Sequence, residues 1–235
     1  MFVHGLVMDN LSSYYFTLAN PVARNADVVL YDLRGHGLSE RPAHGYGLAE
    51  MTADLAEILT RLEIDGPVTL VGNSYGGMLA VAFAVAHRER VAGLCLIDAH
   101  LAGGGWADTM AQTLELQGDE RDQKIAASFQ SWLGRHSERK RTRLAKTAEA
   151  LVHSTSLIDD IRRSHAISDS DLRALTCPVL ALYGDRSDLR AEGERLRQLV
   201  PACDLRILAG CTHSILWEAT ESVRSQLVAW LAEAH

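Results

Sequence analysis

The chain has 235 residues, 47% of them hydrophobic, enough to bury one core and within the usual range for one domain. Its 23 Lys and Arg face 30 Asp and Glu, and the net charge of −7 excludes a general attraction to phosphate backbones or anionic lipid. Neither nucleic acid nor a membrane is expected as a partner.

No run of about 18 uninterrupted apolar residues exists, and the N-terminus lacks the basic, apolar, small-residue order of a signal peptide, so the expected location is the cytoplasm. Cys95, Cys177, Cys203 and Cys211 form no C-x-x-C pair. Their spacing fits neither a zinc site nor a dense disulfide framework, which leaves free thiols and no metal. No cofactor is called for.

Short apolar runs alternate with longer helical patterns, the layout of βα units feeding a mostly parallel sheet with helices on both faces. In chain order, residues 1–4 and 28–32 read as strands. Residues 50–62 read as a helix with Met51, Leu55, Ile58, Leu59 and Leu62 at helical spacing. Strands follow at 68–71 and 91–98, rich in Val, Leu and Ile without clean alternation, as strands covered on both faces tend to be. From 99 to 172 no strand pattern appears, and the segment carries helical patterns with a charged run at 138–143 that reads as a solvated face. A structureless loop of that length would be implausible in a compact domain, so the segment is read as an inserted helical lid. The chain thus divides into a core of residues 1–98 and 173–235 and a lid of residues 99–172. Strands at 179–183 and 205–208 and a final helix at 220–232, with Val223, Leu227, Val228 and Leu231 inward, complete the pattern.

The most specific motif is Gly72-Asn73-Ser74-Tyr75-Gly76, between an apolar strand and a small, apolar helix. G-x-S-x-G in that context places a serine on a sharp corner with its Oγ exposed and a helix N-terminus beneath it, where the dipole favours developing negative charge. The flanking glycines leave room for the tight turn. A serine hydroxyl is a poor nucleophile near neutral pH and needs a base. Of ten histidines, His213 lies after the last strand and before the final helix, where the order Ser, acid, His puts the base. His4 and His36 sit in glycine-rich turns, His87 at a helix end, and His136, His153 and His165 in the lid; all are expected in structural or surface roles. For the oxyanion, the backbone N–H of Tyr75 is one expected donor. The backbone N–H of Leu6, after the strand ending His4-Gly5, is the other.

Together these residues resemble the α/β-hydrolase superfamily, and specifically its lidded members such as the meta-cleavage C–C hydrolases, enol-lactonases, esterases and epoxide hydrolases. His4-Gly5 is similar to the family's oxyanion His-Gly, residues 32–39 to its D-x-R-G-x-G-x-S turn, residues 72–76 to its elbow and residues 177–184 to its penultimate strand. The resemblance spans essentially the whole chain and implies a serine hydrolase acting on an ester or thioester of a small-molecule acyl substrate. C–C cleavage or a lyase reaction with the same residues, or a small-molecule receptor on the same fold, stay open. The aspartate nucleophile of the epoxide-opening and halide-displacing relatives is replaced by Ser74.

Two features depart from the family pattern. Members normally begin with a β-hairpin ahead of the His-Gly strand, whereas here only three residues precede His4, so the start has been trimmed or misplaced or the sheet lacks its first strands. Residues 28–32 would then form an exposed edge open to pairing, with a homodimer possible. The acid is also ambiguous. Many members place it three residues after the glycine that here is Gly184, but position 187 is a serine. A subset places it at the strand end occupied by Asp98, 24 residues past Ser74. Asp98 is preferred, with Asp188 the alternative and Asp185 third. The substrate pocket is expected between the sheet's C-terminal edge and the lid. Trp106, Met110, Phe129 and Trp132 would line it or fill the lid's own core.

Overall fold

The computed structural model describes residues 1–101 and 138–233, with the isolated positions 108, 112 and 116. Trp106, Met110, Phe129, Trp132 and His136 lie outside the described residues, as does most of the first half of the expected lid.

The sheet consists of β1 (Phe2–Val3), β2 (Val68–Asn73), β3 (Val91–Ile97), β4 (Val179–Gly184) and β5 (Cys203–Leu208). All neighbouring pairs are parallel and the spatial order is β1-β2-β3-β4-β5. Helix α1 (Leu48–Arg61) precedes β2, and α2 (Tyr75–Ala86) follows it directly. Alternate residues of β3 serve opposite faces: Leu94 and Leu96 pack with α1 and α2, whereas Cys95 and Ile97 pack with the C-terminal helix. Both faces are covered, which explains the near-continuous apolar strands.

The expected strand at 28–32 does not form. Its contact with the sheet is a single bridge between Leu30 and Phe2, supported by the Phe2 N–H donating to the Val29 carbonyl at 2.9 Å. The neighbour, β1, is two residues long and offers too short a ladder to order a longer partner. The bridge nevertheless lies on the outer side of β1. The chain therefore runs outward from β1 and returns past it to β2, and the reversal opens a crevice at their C-terminal ends.

Helix α1 ends one residue before Leu62, which is 51% exposed and outside the core. Helices α3 (Glu138–Ser154), α4 (Leu157–Arg163) and α5 (Asp169–Arg173) occupy the second half of the insertion. After β4 come α6 (Arg190–Leu199), then α7 (Ile215–Glu218) and α8 (Thr220–Glu233). In α8 Val223, Leu227 and Trp230 are buried, and Val228 and Leu231 are partly buried against the same cluster, so the expected inward face holds with Trp230 added to it. The four cysteines are free, Cys95 and Cys211 among the buried residues. Among the described residues, no helix is long and apolar enough to cross a membrane.

A separate apolar cluster joins the insertion to the core. Leu151, Leu157, Ile158 and Ile161 pack on Val7, Met8 and Tyr46, with Leu6 at the margin. Two hydrogen bonds fix the docking: the Tyr46 N–H donates to Asp160 Oδ2 at 2.9 Å and the Ser156 N–H to the Ala43 carbonyl at 2.8 Å.

Candidate active site

Sheet register brings the site together. Val3 pairs with Gly72, Asn73 with Ile97, and Ile97 with Leu182, so the next residues along the C-terminal edge include Gly5, Ser74, Asp98 and Gly184. Ser74 itself adopts φ 54° and ψ −120°. A non-glycine residue rarely adopts positive φ, and here the conformation is held by the Ser74 N–H donating to the Ile97 carbonyl at 3.0 Å. The elbow glycines are required by contact. A Cβ on Gly72 would meet Gly77 Cα at 2.6 Å, and one on Gly76 would collide with the Val3 and His4 carbonyls.

His213 Nε2 lies 3.1 Å from Ser74 Oγ, and its Nδ1 lies 2.7 Å from Asp98 Oδ2. With the Nδ1 proton donated to the carboxylate, the Nε2 lone pair faces the serine. Asp98 is fully buried, and burying a carboxylate is costly unless its oxygens are paired. Oδ1 accepts the Gly184 N–H at 2.9 Å, and Oδ2 accepts the Ser187 hydroxyl at 2.5 Å besides His213. The two other carboxylates considered stand elsewhere. Asp188 is exposed, and Asp185 accepts the Cys211 N–H at 3.2 Å.

The His213 loop is seated on the end of β4. Gly184 has no room for a side chain, because a Cβ there would run into the carbonyl oxygens of Cys211 and Thr212. The Thr212 N–H donates to Glu218 at 2.7 Å, which ties the loop to α7.

Of the two residues expected to supply oxyanion donors, Tyr75 adjoins Ser74 in the chain and Leu6 follows Gly5, which packs against Ser74. Tyr75 is the first residue of α2, directly after Ser74. Gly5 packs so close to the serine that a Cβ on it would stand 3.5 Å from Ser74 Cβ. No acceptor among the described residues takes the Leu6 N–H, whereas the adjacent Val7 N–H donates to His36 Nε2 at 2.7 Å. His4 and His36 are thus structural, as expected from their turns. The D-x-R-G-x-G-x-S turn is scaffold as well: the Asp32 carboxylate accepts the N–H groups of Leu11 and Leu38, both at 2.9 Å.

Sequence reasoning missed His100. Its ring packs against that of His213 with centroids 5.3 Å apart, and its backbone N–H donates to the Ser74 carbonyl at 3.2 Å. Burial, and next the neighbouring His213, hold its imidazole well below the ordinary histidine range, so it is neutral. Its position two residues beyond Asp98, on the edge that carries the site, was the available signal.

Residues 1–163 match the family profile described as the alpha/beta hydrolase fold. The chain belongs to that family. This α/β-hydrolase is 29% identical over 227 residues to the 2-hydroxymuconate semialdehyde hydrolase of Pseudomonas putida, a match covering 88% of the chain and 77% of the relative. To the 2-hydroxy-6-oxo-2,4-heptadienoate hydrolase of Pseudomonas putida it is 44% identical over 85 residues. That match covers 35% of the chain and only 30% of the relative's own length. Among solved structures, a thermophilic esterase from Thermogutta terrifontis superposes with a TM-score of 0.80 at 25% identity, covering 100% of this hydrolase and 89% of the esterase.

Proposed function

We infer that the chain cleaves an ester or thioester of a small-molecule acyl substrate through an acyl-enzyme on Ser74. The observation that carries this reading is the unbroken line from Ser74 Oγ through His213 to the buried Asp98. His213 Nε2 takes the serine proton as Oγ attacks the carbonyl carbon, and Asp98 stabilises the imidazolium so formed. The N–H groups of Leu6 and Tyr75 receive the oxyanion. His213 then protonates the leaving alkoxide or thiolate, and a water activated by the same imidazole releases the acid. The insertion acts as a lid over the crevice, supported by its packing on Leu6 and Val7.

The test is a burst of product on paired oxygen and thioester substrates of graded acyl length, with covalent labelling by a serine-directed phosphonate. Ser74→Ala and His213→Ala are each expected to lose on the order of 10⁶ in kcat while staying folded. Retention of more than about a tenth of kcat in either folded variant would remove the central assignment.

A second reading, hydrolysis of a C–C bond beside a carbonyl, is favoured by the relatives named as 2-hydroxymuconate semialdehyde and 2-hydroxy-6-oxo-2,4-heptadienoate hydrolases. Turnover of vinylogous 1,5-diketones without activity on any ester or thioester would select it.

A further inference from the structure

The Asp98 carboxylate has a third partner that the acid–base reading leaves without a role. Ser187 is buried, on the turn between β4 and α6. Its Oγ accepts the Leu189 N–H at 3.1 Å, so the hydroxyl proton is free to point elsewhere. It points at Asp98 Oδ2, 2.5 Å away, the same oxygen that His213 Nδ1 meets at 2.7 Å. The serine backbone is fixed on both sides, its N–H donating to the Gly184 carbonyl at 3.2 Å and its carbonyl accepting the Arg190 N–H at 3.3 Å. With the backbone held and Oγ also accepting from Leu189, the hydroxyl is kept beside the carboxylate.

We propose that Ser187 is a positioning residue for the catalytic carboxylate: its hydroxyl holds Asp98 Oδ2 in line with His213 Nδ1 and draws part of the charge off that oxygen. The proposal rests on the reading of Ser74, His213 and Asp98 given above. Its consequences have opposite signs. Holding the carboxylate in place speeds proton removal from Ser74, because the imidazole is kept in the productive tautomer and orientation. Drawing charge from Oδ2 weakens its pull on the imidazolium, so a hydrogen bond from Ser187 lowers the pH at which His213 becomes the free base.

Both consequences are read without knowing the substrate, from the rate at which a fluorophosphonate inactivates the enzyme as a function of pH. In that reaction the Ser74 Oγ–P bond forms, the P–F bond breaks, fluoride leaves and His213 takes the serine proton. Ser187→Ala is expected to slow inactivation about tenfold at the high-pH plateau. It is also expected to move the midpoint of the acid limb up by roughly half a unit to one unit. Ser187→Thr, which keeps the hydroxyl, restores both. The other titratable or charged groups facing the pair are His100, Tyr183 and Cys211, with Asp185, Arg186 and Glu218 around the cysteine. All are retained in these variants, so a moved midpoint reports the hydroxyl. Thermal unfolding accompanies each variant. Should the alanine variant fail to fold, Ser187→Thr against Ser187→Val makes the same comparison at constant shape.

An unchanged midpoint in the folded Ala or Val variant overturns the proposal even where the rate falls, because lost packing alone would slow the reaction without moving its pH dependence. Failure of threonine to restore the midpoint overturns it as well. Absence of labelling in the wild type, or equal labelling of Ser74→Ala, instead overturns the nucleophile assignment and the proposal with it.

Discussion

His4 and His36 lie with their rings 5.2 Å apart, and each ties the same two loops together from opposite sides. His4 Nε2 accepts the Leu33 N–H at 2.9 Å while its Nδ1–H donates to the Gly5 carbonyl at 2.6 Å. His36 Nε2 accepts the Val7 N–H at 2.7 Å while its Nδ1–H donates to the Arg34 carbonyl at 2.9 Å. The reciprocal ties hold the backbone on either side of Leu6, and both rings must stay neutral to accept.

That requirement sets a pH dependence of stability. Burial, and next the neighbouring His4, push the His36 imidazole down to about 3, against an ordinary value near 6.5 in the unfolded chain. Between those values the unfolded chain binds a proton that the folded one refuses, so stability is full above about 6.5 and falls as pH drops toward 3. His4, also lowered chiefly by burial, acts in the same direction. Urea unfolding at pH 7.5, 6, 5 and 4 should show the decline. His36→Leu should cost about 1–3 kcal/mol at pH 7.5, because the Val7 N–H is left unpaired, yet show a shallower decline. Equal slopes in the two proteins would contradict this account.

The choice of acid is tested by two asparagines. Asp98→Asn keeps the shape but favours the wrong His213 tautomer, a change that has cost about 10⁴ in kcat in a serine protease. Asp188 is exposed, and Asp188→Asn should stay within a few-fold of wild type on the same substrate. The reverse ranking of kcat would show that Asp98 is not the partner of the base.

Gly184→Ala should separate loop position from chemistry. The new Cβ would lie 2.6 Å from the Thr212 carbonyl oxygen, so the segment carrying His213 has to move. Misplacement by about 1 Å can cost on the order of 10² in rate, with every reacting group still present. A variant with unchanged phosphonate reactivity would mean that the loop adapts freely.

Leu151→Ala probes the docking of the insertion. Leu151 is fully buried in the cluster that includes Val7 and Met8, and its truncation should cost about 2–5 kcal/mol of whatever stability that interface contributes. If the insertion governs access to Ser74, altered KM for bulky acyl groups should accompany the loss of stability. Unchanged KM across an acyl series would count against a gating role.

What the sequence determined is what local sterics and periodicity encode. The strand, turn and helix spanning residues 68–86 are contiguous, so the glycine pattern alone located Ser74 on a positive-φ corner. His213 was legible for a similar reason, as the histidine of the last loop before a strongly patterned helix. Among Asp98, Asp188 and Asp185 the sequence ranked Asp98 first but did not decide the choice. Each ends a strand or opens a turn, and what separates them is whether its side chain is buried beside His213, which depends on the register of β3 against β4. The same non-local register set Ser187 against Asp98, although 89 residues separate them, and brought His100 to His213. Assembly of the sheet also overruled the apolar run at 28–32, since a strand needs a neighbour as well as a pattern, and β1 supplies two residues. Local sequence sets backbone conformation, whereas distances between elements are decided only when the sheet assembles.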